Sequence, residues 1–421
     1  MRILLVNDYG TLAGGAEVIL FNLRDALRAR GHEVRVFAST ALAGIDLNHA
    51  DDLGHGTAGR WRTVVQSANP AAAWALRKVV ARFAPDVVHV NLYLTQLSPL
   101  ILLALGDVPT IYYAMWNRAI CPVGSRRLPD GRICSAQPGI ACLRTGCLPI
   151  HDWLPIRAQL AADRALAPRF LRVVAISHAV ASQLAAFGPP HLRAATVVHP
   201  GTAFVEPRLA LPPSPRAVVA GRLVPEKGID ILVRAFARLA PSHVSSSLVV
   251  IGDGPERANL TRLAHDLGIG ERVTFTGKLA PDATLATVRS AWVVCVPSLW
   301  EEPFGMIAAE AQMHAVAVVA SRCGGLAEIV ADGETGYLVP PGDADSLASR
   351  LALLFSDRGH AHALGIQGHS RAAAMFDLDG FASRMDEVYG SAIARRAQEF
   401  AEKPAHVSAL HRHEQLSGSK K

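Results

Sequence analysis

Twelve short apolar runs, spaced by helix-sized gaps and split into two sets of six by a proline-rich break, constrain the fold of this chain most. The first set is Ile3 to Val6, Val34 to Ala38, Val87 to Val90, Thr110 to Tyr113, Val173 to Ile176 and Thr196 to Val198. Runs that are apolar throughout, instead of alternating, belong to strands buried on both faces, and that means a parallel sheet with helices on each side. Glu206 to Pro215, EPRLALPPSP, interrupts the pattern with four prolines and reads as an interdomain linker. The second set is Ala217 to Ala220, Leu248 to Ile251, Val273 to Phe275, Trp292 to Val296, Val316 to Ala320 and Tyr337 to Val339. A chain of 421 residues can bury two such cores. Two doubly wound α/β domains on one linker leave a cleft between their strand C-terminal edges, where open sheets of this kind bind ligands.

The expected organisation is a Rossmann-like first domain over 1–205 with a cysteine-containing insert at 121–147, a linker over 206–215 and a Rossmann-like second domain over 216–378. A helix over 379–400 and a polar tail over 401–421 follow. No segment approaches the ~20 apolar residues that span a bilayer, and MRILLVNDYG reads as a first buried strand, not a signal peptide. A soluble, cytoplasmic protein is expected. The net charge of +6 is uneven. Residues 1 to 210 carry 21 Lys+Arg against 13 Asp+Glu, so the first half holds the basic surplus. That suits an acidic partner of the first domain, here an anionic membrane surface at the inner face, with no nucleic acid partner expected. Arginine outnumbers lysine 36 to 6, which a GC-rich bacterial genome also explains. Oligomeric state is not legible.

The richest chemistry lies in PSLWEEPFGMIAAE, Pro297 to Glu310. An apolar strand precedes it and an Ala-rich helical pattern follows, so Glu302 falls at a strand-to-helix turn and Glu310 two turns into the helix. Both carboxylates then face one cleft mouth. Phe304, Gly305 and Met306 supply first-turn amides without intrahelical partners, a donor-rich surface suited to hydroxyls and phosphates. Gly14 and Gly15 sit in a second such turn after the first strand, opening a helix that runs to about Arg30 and stops at Gly31. In AGRLVPEKG, Arg222 and Lys227 occupy the loop after the first strand of the second domain, where two cations can neutralise a diphosphate.

Glu302, seven residues, then Glu310 inside EEPFGMIAAEA, flanked by SRCGGLAEIV and TGYLVPPGD, resembles the signature of retaining glycosyltransferases of family 4 with the two-domain GT-B fold. GGAEVILFNLRDALRARGHEVRVF resembles that family's N-terminal motif. The resemblance implies a metal-independent transferase that uses a nucleotide-sugar donor, a UDP- or GDP-sugar, and needs no cofactor. Arg222 and Lys227 would hold the diphosphate, Glu302 and the amides of Phe304 to Met306 the sugar, and Glu310 the ribose. Gly14 and Gly15 would border the donor and acceptor. The last long helix, within FDLDGFASRMDEVYG, would cross back onto the first domain. Members of the family carry a histidine after the fourth strand where this chain has Met115 and Trp116, and Gly and Pro where it has Ala315 and Ala317. A nucleotide-sugar 2-epimerase of the same fold and a non-catalytic sugar-nucleotide-binding protein therefore stay open as alternatives.

Three further patterns bear on chemistry. Gly252-Asp253-Gly254 follows a strand as a dinucleotide fingerprint would, but Arg257 stands where the third glycine belongs. Asp343-Ala344-Asp345 imitates a metal-binding Asp-x-Asp, yet precedes leucines at helical spacing and reads as a helix cap. Cys121, Cys134, Cys142 and Cys147 cluster in one Gly- and Pro-rich segment, and suggest a structural zinc site more than disulfides in a reduced compartment. Cys295 and Cys323 read as core or near-site residues, with no metal role.

Overall fold

The computed structural model describes residues 1–12, 14–42 and 49–417, with side chains to residue 402. Seven strands form the first sheet: β1 (Arg2–Tyr9), β2 (Glu33–Ser39), β3 (Asp52–Gly54), β4 (Val87–Val90), β5 (Thr110–Ala114), β6 (Arg172–Ala175) and β7 (Thr196–Val197). Six form the second: β8 (Arg216–Ala220), β9 (Ser247–Ile251), β10 (Val273–Gly277), β11 (Val293–Val296), β12 (Ala317–Ser321) and β13 (Gly336–Val339). Every pairing is parallel, and each of the twelve apolar runs falls on one strand. Ile3 to Val6 and Val316 to Ala320 have no exposed surface, as strands covered on both faces require.

The strand orders are β3-β2-β1-β4-β5-β6-β7 and β10-β9-β8-β11-β12-β13. The direction of winding reverses between β1 and β4 and again between β8 and β11. Loops leaving those strands diverge there and open a crevice. The loops after β1, β8 and β11 carry Gly14-Gly15, Arg222 to Lys227 and Pro297 to Glu302 respectively, so topology alone gathers the three motifs.

Helix Leu378–Ser417 packs on helix Gly15–Ala29 and beside β4 and β5. Arg30 pairs with Asp379 at 2.7 Å and Asp386 at 3.1 Å, and the Tyr389 hydroxyl meets His89 Nδ1 at 2.7 Å in the core. The helix outruns the expected 379–400. Residues 391 to 402 are rich in Ala, Arg, Gln and Glu, strong helix formers, so polarity there marks a solvated helix and not a tail. Residues 418–421 of the expected tail lie outside the described residues. In the linker, buried Arg208 donates to the carbonyls of Ala315 and Arg289 at 3.1 and 2.9 Å, and burial pushes its guanidinium down to about 10.

Asp343 accepts from the amides of Asp345 and Ser346, the capping role read from sequence. Gly252 and Gly254 answer to packing: a Cβ would lie 1.9 Å from the Gly221 carbonyl oxygen and 2.4 Å from that of Leu223. These glycines let the loops after β8 and β9 touch.

Candidate functional site

A cleft of about 1140 Å³ separates the two domains. The first domain lines it with Gly14, Gly15, Asn22 and Met115, and the second with Lys227, Lys278, Glu302, Phe304 to Met306 and Glu310. That volume exceeds what one drug-sized ligand fills and leaves room for two substrates.

Glu302 is buried at the turn leaving β11. Lys227 Nζ donates to both of its carboxylate oxygens at 2.9 Å, and Ser298 Oγ and Trp300 Nε1 donate to Oε2 at 2.8 and 2.9 Å. Four contacts thus fix the carboxylate, and the pair in turn holds the lysine at the cleft wall. The backbone is fixed as tightly. Gly325 donates its amide to the Glu302 carbonyl at 2.8 Å, and a Cβ on Gly324, at φ +51°, would come within 2.1 Å of that oxygen. The glycines of SRCGGLAEIV therefore exist to let this loop lie against Glu302. Ser298 and Trp300 sit within the signature string, but sequence reasoning assigned them no role.

Gly305, at φ +109°, caps helix Met306–Met313. A side chain there would strike Leu326, so only glycine turns the chain this sharply into the helix. Glu310 lies just over one turn into the helix, not two as the sequence suggested, its carboxylate without a protein partner among the described residues, and burial pushes it up to about 7. An acid held in an apolar pocket beside a ligand-sized space is a group poised for a hydroxyl donor.

Across the cleft, the Gly14-Gly15 turn faces the start of that helix; a Cβ on Gly15 would lie 3.8 Å from Met306 Cγ. Two acids beneath the turn went unread in the sequence. Asp8 is fully buried and accepts from the amides of Thr95, Gln96 and Leu97 and from the Thr95 hydroxyl, while burial raises its pKa. Glu17 turns inward to Asn7 Nδ2 at 3.3 Å and is pushed up to about 7, chiefly by burial. Both fix loops at the sheet edge and neither lines the cleft.

The domains also meet at Glu328. Its carboxylate accepts from the amides of His178 and Ala179 at 2.9 and 2.8 Å and lies 2.9 Å from His199 Nε2, and Ser177 Oγ reaches the Pro303 carbonyl at 2.6 Å. Those contacts hold Glu328 below the usual carboxylate range despite its partial burial. They set the spacing of the cleft walls.

Three sequence expectations fare differently. Arg222 is exposed on the loop after β8 and is absent from the cleft lining, so the structure does not bring it to Glu302 with Lys227. Met115, expected where the family has histidine, does line the cleft, and Ala315 adopts φ +56°, the left-handed conformation for which glycine is the usual choice. Cys121, Cys134, Cys142 and Cys147 are free and half-buried. Burial raises the Cys142 thiol, and the other three thiols push it the same way. They do not form a set within ligand distance: among the described residues, the group of three or more ligand atoms within 4.8 Å of one another is His178, His199 and Glu328. Cys295 and Cys323 are buried, and burial pushes the Cys323 thiol up to about 12.

Comparison with known proteins bears on the family and the fold. The profile of the glycosyl transferases group 1 matches residues 207–371, and that of Glycosyltransferase Family 4 matches residues 13–203. A D-inositol 3-phosphate glycosyltransferase of Xylanimonas cellulosilytica is 31% identical over 411 residues, covering 91% of this chain and 93% of that protein. A GDP-mannose-dependent alpha-(1-6)-phosphatidylinositol monomannoside mannosyltransferase of Mycobacterium tuberculosis is 34% identical over 195 residues, 45% of this chain and 51% of its own. Among solved structures, sucrose-phosphate synthase from Thermosynechococcus elongatus superposes with a TM-score of 0.70 at 24% identity, over 94% of this chain and 100% of its own. HepE from Anabaena, in complex with UDP-glucose, gives 0.65 at 19%, over 93% and 100%. At those identities the structural likeness speaks for the two-domain fold.

Proposed function

This chain belongs to glycosyltransferase family 4, and from that premise we propose that it moves a sugar from a nucleotide-sugar donor to an acceptor hydroxyl with retention of configuration. The observation that carries the reading is the Lys227–Glu302 pair, at 2.9 Å on the wall of the cleft that Glu310 also lines. Lys227 and the amides at the helix start meet the donor diphosphate, where negative charge grows as the bond to the anomeric carbon breaks. The acceptor oxygen forms its bond to that carbon on the same face, and the acceptor proton passes to the departing phosphate oxygen. Glu302 orients the sugar hydroxyls and Glu310 accepts from the ribose. Positioning and electrostatics carry the rate, and no step calls on a metal. Arg222 joins the diphosphate only if its loop turns inward.

D-inositol 3-phosphate and phosphatidylinositol monomannoside are the acceptors to try first, because the relatives' names carry them. Incubation with UDP- and GDP-sugars and each acceptor is expected to release nucleoside diphosphate and give an α-linked product from an α-linked donor by NMR. An inverted product would reject the front-face route. Met115 at the cleft favours one second reading, a homologue that binds the donor without transferring it. Donor binding with no nucleoside diphosphate release under any acceptor would support that reading.

For the insert we propose one structural zinc ion that Cys121, Cys134, Cys142 and Cys147 would hold only after the segment draws together, since as described these thiols do not lie within ligand distance of one another. Support comes from four half-buried thiols in one segment and their shared influence on Cys142. Metal analysis of protein purified without chelator is expected to find one zinc per chain, lost in the Cys134→Ser/Cys142→Ser variant. Zinc near zero in folded, active protein would remove the site.

A further inference from the structure

We propose that the outer face of the first domain built by helices Arg62–Ser67, Ile140–Arg144 and Ile150–Leu166 docks on an anionic lipid bilayer. Nine of the seventeen large apolar side chains exposed among the described residues lie between residues 61 and 154. Five of them, Trp61, Val64, Ile140, Ile150 and Leu154, stand on or beside these three helices, and the first two helices each pack against the third. Thr63 Oγ1 donates to Asp152 Oδ1 at 2.6 Å and locks the first helix to the start of the third. On the third, Ile150, Leu154 and Arg157 share one stripe at helical spacing. Leu154 is 67% exposed and Trp61 61%, a large loss of hydrophobic stabilisation for a face that stays in water.

The exposed charges on these helices are mainly basic. Arg60, Arg62, Arg144 and Arg157 are all exposed. Of the acids on the three helices, Asp163 is buried on the Tyr93 hydroxyl at 2.5 Å, and Asp152 accepts from Thr63 while about one-third exposed, against four exposed arginines. Exposed apolar residues, a tryptophan among them, interspersed with arginines match an acyl boundary beneath anionic headgroups. A second copy fits less well, since a self-contact sets one basic face against another. The third helix and the insert follow β5, as does Met115 at the cleft, so docking here sets the cleft mouth beside the bilayer. The inference stands apart from the donor chemistry because it needs no sugar nucleotide.

Cosedimentation of the full chain with phosphatidylglycerol/phosphatidylcholine vesicles, and with phosphatidylcholine vesicles alone, tests it. Binding is expected to the first and not the second, weakening as salt rises. Each basic residue near such a surface contributes about fivefold in partition, so Arg144→Gln/Arg157→Gln should lower binding about 25-fold. Trp61→Ser/Leu154→Ser should lower it about tenfold or more even at low salt, where charge attraction is intact. Arg262→Gln, on the second domain, should change nothing, and circular dichroism should find every variant folded. Equal binding to both vesicles, binding to neither, or equal losses in Arg262→Gln would overturn the proposal. So would a concentration-dependent dimer abolished by Trp61→Ser/Leu154→Ser, which would give the face to a second copy.

Discussion

Lys227→Met is expected to lower the rate of sugar transfer by about a hundredfold to a thousandfold, the loss that follows when one partner of a buried ion pair is removed at a reacting site. The side chain contacts both Glu302 oxygens at 2.9 Å and is about three-quarters shielded from solvent. Methionine keeps its length and apolar stem but removes the charge. Ser298 and Trp300 still hold the carboxylate, so the fold should survive with a loss of about 1 to 3 kcal/mol. The two effects separate in one set of measurements. Steady-state kinetics should find kcat reduced and KM for the donor raised, since the ammonium would meet the diphosphate before and during its departure. Transfer within threefold of wild type would mean that Lys227 serves only the packing of Glu302.

The two signature carboxylates should fail in different ways. Glu310→Gln should raise the donor KM about tenfold to a hundredfold with kcat nearly kept, because a hydrogen bond to ribose exists in ground and transition states alike. Glu302→Gln should mainly lower kcat by a similar factor, because it sits at the turn beside the reacting sugar. Glu310 carries a further signature in pH. With its carboxyl pushed up to about 7, donor affinity should rise as pH rises through 7 and the carboxylate forms, and Glu310→Gln should flatten that profile. Stability runs the opposite way. The unfolded chain loses this proton near the ordinary carboxylate value while the folded chain keeps it to about 7. The folded state therefore binds more protons between those values, and its stability falls as pH rises through that window. Above pH 7 the ligand-free Glu310→Gln protein should be more stable than wild type by about 2 kcal/mol, after allowance for partial exposure to the cleft. Weaker donor binding with a higher thermal midpoint is the mark of a residue kept for function. A lower midpoint would make Glu310 structural.

Much of this architecture could be read in the sequence because parallel strands buried on both faces write themselves as unbroken apolar runs. β3 escaped because Asp-Leu-Gly is three residues with a single apolar side chain. The motifs also foretold which loops converge, since the winding reverses at β1 and β8 and the glycines, Lys227 and Glu302 leave those strands or their neighbour. What a motif does not contain is the rotamer: Arg222 and Lys227 share one loop, yet one points to solvent and the other to Glu302. Contacts between residues far apart in the chain were equally silent. His199 and Glu328 are 129 positions apart and belong to different domains, and nothing local in either string announces the pair. Ser298 and Trp300 lay in plain view inside the signature, but their role depends on a turn that curls both donors back onto Glu302.

The central claim is that a nucleotide sugar occupies the cleft against Lys227 and Glu310. Thermal unfolding of wild type, Lys227→Met and Glu310→Gln across a panel of UDP-, GDP- and ADP-sugars measures this without knowledge of the acceptor. One donor class should stabilise the wild type by ~2.7 kcal/mol at 100 times its Kd, and the two variants should lose most of that gain at the same concentration. No stabilisation by any sugar nucleotide, or equal stabilisation of all three proteins, would contradict the account.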